Sequence, residues 1–292
     1  MDREIWRIIT RVVVSVNRSV PRKGRRPLYN DVLILRMYLW TVWHDRPLFW
    51  ACDRLHYNTL FRPRRLPSVS QFCRRVRTPR LGALLEETAR RLSEGTGPQR
   101  VMFLDGKALP VSESTRDPEA KTGRGNGRFS RGYKLHALGV QDGRIQAFAV
   151  RSLNEHEVPV THQELVEHIP SGAMVLADGN YDSDHLYAEI QERDSWLFTP
   201  LKGKRAQSLS RLRRMSQARR WIHDLWGRRT ELCWAAYRAR TGIERIFSAL
   251  SCFAGGLGPL PNWVRRLDRV TRWVTAKLAV YHARLRARRA VA

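Results

Sequence analysis

Val101-Met102-Phe103-Leu104-Asp105 is the stretch from which the rest of the chain can be read: four apolar residues at strand length, running into a carboxylate. Two more strand-like runs follow, Lys134-Leu135-His136-Ala137-Leu138-Gly139-Val140 and Ile145-Gln146-Ala147-Phe148-Ala149-Val150, joined by the turn Gln141-Asp142-Gly143-Arg144. Residues 101–150 therefore predict a three-stranded meander. Helical spacing over 162–168, an apolar strand at 174–177, helical spacing over 184–193 and a strand at 196–198 come next, and helical segments at 236–253 and 264–289 finish the chain. The order βββαβαβα is that of an α/β sheet with mixed strand directions.

Before the first strand the pattern differs. Residues 5–16, 30–43, 48–56, 68–77 and 81–93 repeat apolar residues at helical spacing between Pro, Gly or polar caps, and no strand alternation competes. Asp2 and Glu4 are wrong for a transit peptide, so the first segment reads as an amphipathic helix. The basic loops Arg22-Lys23-Gly24-Arg25-Arg26-Pro27 and Arg62-Pro63-Arg64-Arg65 flank a helix pair in the manner of a helix-turn-helix. Ser68 is placed to cap the next helix, whose exposed side is expected to carry Arg74, Arg75 and Arg77, residue types that neutralise phosphates or reach guanine edges. A solvated basic face explains the same three residues equally well. Gly95-Thr96-Gly97-Pro98 reads as a linker, giving a helical domain over 1–98 and an α/β domain over 99–292 with an Arg-rich insertion at about 203–235.

Charge narrows the partner. Among 292 residues, 53 are Lys or Arg and 27 are Asp or Glu, a formal charge of +26 whose self-repulsion calls for a polyanion. Nucleic acid fits better than membrane, because no stretch approaches the ~18 uninterrupted apolar residues of a spanning helix. The nearest candidate, 270–285, is broken by Arg272, Lys277 and Arg284. Cys52, Cys73, Cys233 and Cys252 form no C-x-x-C pair, so neither a disulfide framework nor a zinc knuckle is expected, and a reducing cytoplasm suits them.

Asp105 and Asp178, the latter in Leu176-Ala177-Asp178-Gly179-Asn180-Tyr181-Asp182-Ser183, each directly follow an apolar strand. A carboxylate there stands at the sheet edge where open α/β folds bind ligands, and two brought together can hold a divalent cation. A turn former or helix cap is the commoner fate of such an Asp, although Gly179 weakens the pure capping reading. At ~100° per residue, Tyr237, Arg240, Glu244 and Ser251 share one helix face while Ile243, Ile246, Phe247 and Leu250 form an apolar stripe. By spacing alone, Arg240 and Glu244 are equally well a surface i, i+4 pair.

Tyr237, Arg240 and Glu244 stand at the spacing of a Tyr-x2-Arg-x3-Glu-x6-Lys signature. With Phe103-Leu104-Asp105-Gly106-Lys107-Ala108-Leu109-Pro110, Gly132-Tyr133-Lys134-Leu135-His136-Ala137, Asn154-Glu155-His156-Glu157 and Ala177-Asp178-Gly179-Asn180-Tyr181-Asp182-Ser183, the chain resembles bacterial insertion-sequence DDE transposases of the insertion-sequence four/five-like group. The resemblance covers about residues 100–255, and the helical N-terminus more weakly. One departure is Ser251 at the signature's Lys, a DNA contact in the family, so it bears on substrate handling more than on chemistry.

The resemblance implies a ribonuclease H-like mixed-sheet catalytic domain preceded by an all-helical, helix-turn-helix-like domain. It implies that Asp105, Asp178 and Glu244 are catalytic and hold two Mg2+ (or Mn2+) ions, and that Tyr237 and Arg240 position the DNA backbone. The implied partners are double-stranded DNA, as terminal inverted repeats and as target, and further copies of the chain in a homo-oligomer on DNA, in the bacterial cytoplasm at the nucleoid. Water attacks a phosphodiester first, and the freed 3′-hydroxyl then joins element to target DNA. Hard carboxylate oxygens suit Mg2+ or Mn2+, and the lack of a Cys or His cluster in the sequence argues against zinc. His136, His156, His162 and His185 read as structural, with His156 between Glu155 and Glu157 as a possible support to the site. The competing functions are a catalytically inactive, repurposed sequence-specific DNA-binding protein, another ribonuclease H-like nuclease, and a basic RNA-binding structural protein. The three carboxylates weigh against the first and the Tyr-Arg-Glu spacing against the second; the third predicts no divalent-metal activity and no dependence on Asp178, which a cleavage assay separates.

Overall fold

Caps and apolar spacing account for the N-terminal helices. The computed structural model describes residues 2–21, 27–95, 97, 99–125, 127–200 and 215–290. Helix α1 (Arg3–Ser19) opens on Asp2, whose carboxylate accepts from the Glu4 N–H, and buries Ile5, Ile9, Val13 and Val16 along one face. Helix α2 (Asp31–Trp43) is capped by Asn30 and is buried along most of its length. The helix expected over 48–56 is instead two 3-10 turns, Leu48–Cys52 and Arg54–His56, separated where the Asp53 side chain accepts from the Leu55 N–H. Helix α3 (Val69–Val76) has the capping box of Ser68 and Gln71, and α4 (Pro79–Ser93) starts on Thr78 with Pro79 in its first turn. Of the two basic loops, residues 22–26 lie outside the described residues.

The α/β unit is built on strands β1 (Val101–Pro110), β2 (Lys121–Gly125), β3 (Arg128–Val140), β4 (Ile145–Ser152), β5 (Met174–Ala177) and β6 (Trp196–Phe198). Their order is β2-β3-β1-β5-β6, with β4 also paired to β3. The β1, β3 and β4 pairs are antiparallel, and β5 lies parallel to β1 and to β6, the mixed arrangement of a ribonuclease H-like sheet. Gly143, at φ 91, makes the β3–β4 turn expected at 141–144.

Two strand expectations are corrected. Strand β2 has no apolar run to announce it; it forms because Gly123 and Gly125 let it pass close to its neighbours, a Cβ at Gly123 falling 2.4 Å from the Leu153 carbonyl oxygen. Asp105 does not end its strand but sits inside β1, which the ladder with β3 carries on from Met102↔Val140 to Pro110↔Gly132.

Helices α5 (Glu157–Glu164), α6 (Asp184–Glu192), α7 (Gln217–Arg228), α8 (Thr230–Tyr237) and α9 (Thr241–Ser251) complete this part, with a 3-10 turn at Arg238–Arg240 between α8 and α9. The continuous helix expected over 236–253 is thus broken. At the junction the Thr241 hydroxyl takes the Arg238 carbonyl at 3.0 Å, and Gly242 follows. Of the expected insertion, residues 203–214 lie outside the described residues, and the remainder is α7 and α8.

The last helix, α10 (Leu267–Arg289), buries Val270, Trp273, Val274, Leu278, Val280 and Tyr281 and packs on α4, α1 and α2. Two compact units result, Thr96–Ser248 and Met1–Gly95 with Ala249–Ala292. The packing differs there from a division into 1–98 and 99–292, because the apolar face of α10 is buried by the N-terminal helices. Among the described residues no helix is long and apolar enough to cross a membrane.

Candidate active site

The parallel ladder between β1 and β5 ends at Leu104↔Ala177, so Asp105 and Asp178 are the next residues on two adjacent strands. Beyond that pair the strands diverge. Asp178 leaves the sheet and caps the 3-10 turn Gly179–Tyr181, accepting from the Asn180 backbone N–H at 2.8 Å and from its amide at 3.4 Å. Capping and membership of a carboxylate pair coexist at this residue. Asp105 stays in β1 and accepts from the Gly106 N–H at 2.8 Å.

Helix α9 reaches these residues because of two glycines. A Cβ at Gly242 would fall 2.6 Å from the Phe103 ring, and one at Gly139 would fall 2.8 Å from Ile243 and 2.9 Å from Ile246. The start of α9 therefore lies directly on β1 and β3. Just before it, Arg240 Nη2 donates to Asp105 Oδ2 at 3.0 Å, and Arg240 Nη1 lies 3.6 Å from Glu244 Oε1. The i, i+4 contact with Glu244 weighed from sequence is present, and Arg240 also binds a carboxylate on the central strand.

Burial pushes the Asp105 carboxyl up to about 6, against the pull of Arg240 and the Gly106 N–H, and Asp178 and Glu244 add to the rise by repulsion. The three acids therefore share one electrostatic neighbourhood. They do not form a closed set: among the described residues, the only three or more His, Cys, Asp or Glu side chains whose ligand atoms all lie within 4.8 Å are His162, His185 and Glu189. Glu244 is the open member, its side chain 64% exposed against 20% for Asp105. Hard oxygen donors, mutual repulsion that a cation relieves, and an exposed third carboxylate free to change rotamer all fit Mg2+ or Mn2+.

Asp105 and Asp178 line a cleft of about 1100 Å³, together with Lys134, Arg124, His156 and Asp182. Lys134 pairs with Glu157 at 2.7 Å, and its side chain passes 3.0 Å from where a Cβ of Gly106 would stand, beside Asp105. Reading the sequence missed Lys134 and Arg124. The signal available was a lone Lys at the head of an apolar run; Arg124 gave none. Tyr237 is half-buried, and burial raises its hydroxyl pKa with Asp178, Asp105 and Glu244 adding to the rise and Arg240 opposing it. Tyr181 is buried, and its hydroxyl has no hydrogen-bond partner among the described residues.

The histidines separate. His136 is fully buried, neither ring nitrogen has a hydrogen-bond partner among the described residues, and burial pulls it down to about 4, which leaves it neutral. His156 is exposed at the cleft, while Glu157 is committed to Lys134.

In the helical unit, Arg74 and Arg77 are exposed as expected, but Arg75 is not. It donates to the buried carboxylate of Asp31 and, at 2.8 Å, to the Tyr29 carbonyl, while Arg80 holds the other Asp31 oxygen at 2.7 Å. A buried carboxylate needs such partners, and that need claims Arg75. The basic residues of the insertion and of the last helix are likewise partly taken up inside the protein. Arg219 makes two 3.0 Å bonds to Asp182, and α10 is largely core.

Residues 96–281 match the family described as transposase DDE domain. Comparison with curated proteins gives no match. Among solved structures, a piggyBac transposase in a synaptic complex with hairpin DNA, determined by cryo-EM, is similar in fold. The TM-score is 0.51 at 11% sequence identity, over 98% of this chain and 72% of that one.

Proposed function

The chain belongs to the transposase DDE domain family, and from that premise we propose that it binds the ends of an insertion sequence, cleaves the DNA there by metal-dependent phosphodiester hydrolysis and joins the freed 3′-hydroxyl to target DNA. The observation that carries this is the pairing of Asp105 with Asp178 one residue beyond the Leu104↔Ala177 register, with Arg240 linking Asp105 to Glu244. Asp105, Asp178 and Glu244 would hold the divalent ions, two Mg2+ or Mn2+ by our reading. Bound there, such ions supply charge neutralisation at the transferring phosphoryl group and a more acidic water.

The remaining work falls to this chain's own groups. Arg240, held between two carboxylates, can turn the edge that faces the exposed Glu244 toward a phosphate and donate to two of its oxygens, a planar bidentate contact that lysine does not make. Tyr237 stands beside it and can hydrogen-bond the same backbone. Hydrolysis breaks one P–O bond, leaving a 3′-hydroxyl and a 5′-phosphate. In strand transfer that hydroxyl attacks a target phosphodiester, one P–O bond forming as another breaks, with no bond to the protein. Exposed Arg74 and Arg77, with the charge of +26, support DNA as the partner of the helical unit, and a homo-oligomer on DNA would bring two ends together.

The test is incubation of the purified chain with a labelled duplex taken from the DNA flanking its gene, in Mg2+ or Mn2+. A nicked product with a free 3′-hydroxyl, and its joining to a second unlabelled duplex, is expected. Binding without either product would favour the repurposed DNA-binding protein.

A further inference from the structure

We propose that His162, His185 and Glu189 form a transition-metal site between helices α5 and α6, distinct from the carboxylates of the cleft. The sequence shows no His cluster, and the fold corrects that reading. His185 and Glu189 are four residues apart on α6 and so face one side, and α5 brings His162 against them. All three ligand atoms lie within 4.8 Å of one another. His162 Nδ1 is 2.5 Å from Glu189 Oε2, and His185 Nδ1 is 4.0 Å from the same oxygen. Ligands about 2 Å from a tetrahedral ion stand roughly 3.3 Å apart. The two spacings to Glu189 bracket that value, so small side-chain rotations would close the set.

An ordinary His–Glu ion pair accounts for His162, whereas His185 stands farther from the same carboxylate, at 4.0 Å. The His185 ring meets that of His162 edge to face, with centroids 4.6 Å apart and planes at 89°. Two imidazoles and one carboxylate favour Zn2+, Ni2+ or Cu2+ over Mg2+. The histidine side chains are 45% and 68% exposed, which gives an ion a path in and leaves room for water as a further ligand. Helix α5 begins at the cleft-lining Glu157, and α6 follows the cleft-lining Ser183. An ion at this site would staple together the two helices that lead away from the cleft, and so steady its wall.

The full chain, stripped with EDTA, is titrated with Zn2+ and Co2+ while its melting temperature and the visible absorption of Co2+ are followed. Besides any ions taken by the cleft carboxylates, one site dependent on His162 and His185 is expected, with a rise in melting temperature and a Co2+ d–d band. His162→Ala and His185→Ala should each weaken binding at least about 10-fold and remove the thermal gain. Both side chains are exposed and carry little of the fold, and equal metal-free melting temperatures check this. The band should persist in the Asp105→Asn, Asp178→Asn double variant. No binding by the parent chain, or unchanged binding in His185→Ala, overturns the assignment.

Discussion

Arg240 binds Asp105 through a 3.0 Å hydrogen bond that joins the turn before α9 to the middle of the central strand. With the other edge of the guanidinium 3.6 Å from Glu244, one side chain is the positive charge between two acids. It lowers the Asp105 pKa, while burial, Asp178 and Glu244 raise it. Removing the guanidinium in Arg240→Ala should therefore move Asp105 above its value of about 6. Carboxyl NMR titration of the metal-free protein measures this. An unchanged or lower midpoint would mean that the contact is incidental.

Asp105 and His136 give the metal-free protein opposite pH slopes. Asp105 is raised from 3.8 to about 6, so the folded state binds the extra proton between those values and stability falls as pH climbs through them. His136 is lowered from 6.5 to about 4, so its stability is whole above 6.5 and is lost as pH falls toward 4. Each is on the order of 3 kcal/mol, and they nearly cancel. Asp105→Asn should steepen the loss of stability toward acid. His136→Leu should make the protein more stable at pH 4.5 than at pH 7. Urea midpoints at the two pH values, with EDTA present, would refute both shifts if neither variant changed the slope.

Arg75 belongs to the core of its unit and Arg74 and Arg77 to its surface. Arg75→Ala takes a guanidinium partner from the buried Asp31, which Arg80 also holds, and should cost about 2 kcal/mol or more of stability. Arg74→Ala with Arg77→Ala should change stability by less than about 0.5 kcal/mol. The same pair should weaken binding to the flanking duplex and lower its salt slope by about 2. Denaturation beside a salt titration separates the two sets. Equal effects in both would remove this distinction.

Gly242 is where the α9 entry meets the sheet. A methyl there meets the Phe103 ring at 2.6 Å, and Phe103 is buried. Gly242→Ala should cost about 1–3 kcal/mol and, by displacing Arg240 and Glu244 from Asp105, lower cleavage more than duplex binding. Wild-type cleavage would show that this close approach is dispensable.

What the sequence could disclose depended on how local each cause is. The strands at 174–177 and 196–198 are short apolar runs and appear at those bounds. Strand β2 is polar and glycine-rich, held by its neighbours rather than by its own composition, so nothing local announced it. The second half of β1 is likewise held by pairing to β3, which is why Asp105 read as a strand end. Arg75 looked like its neighbours because its partner, Asp31, lies 44 residues away. The neighbourhood of Asp105, Asp178 and Glu244 was legible through motif order, whereas Arg240 as the link between two of them depends on α9 lying against β1, which no spacing encodes.

The most direct measurement of the central claim is cleavage and strand transfer by Asp105→Asn, Asp178→Asn and Glu244→Gln, each beside its affinity for the same labelled flanking duplex in Mg2+ or Mn2+. If these carboxylates hold the metal, every variant loses both steps by at least about 100-fold while duplex binding stays near that of the parent. A Glu244 that merely paired with Arg240 on the surface would cost about half a kcal/mol of stability and leave turnover nearly unchanged. Parental turnover in any one of the three variants would contradict the assignment of that residue to the catalytic set.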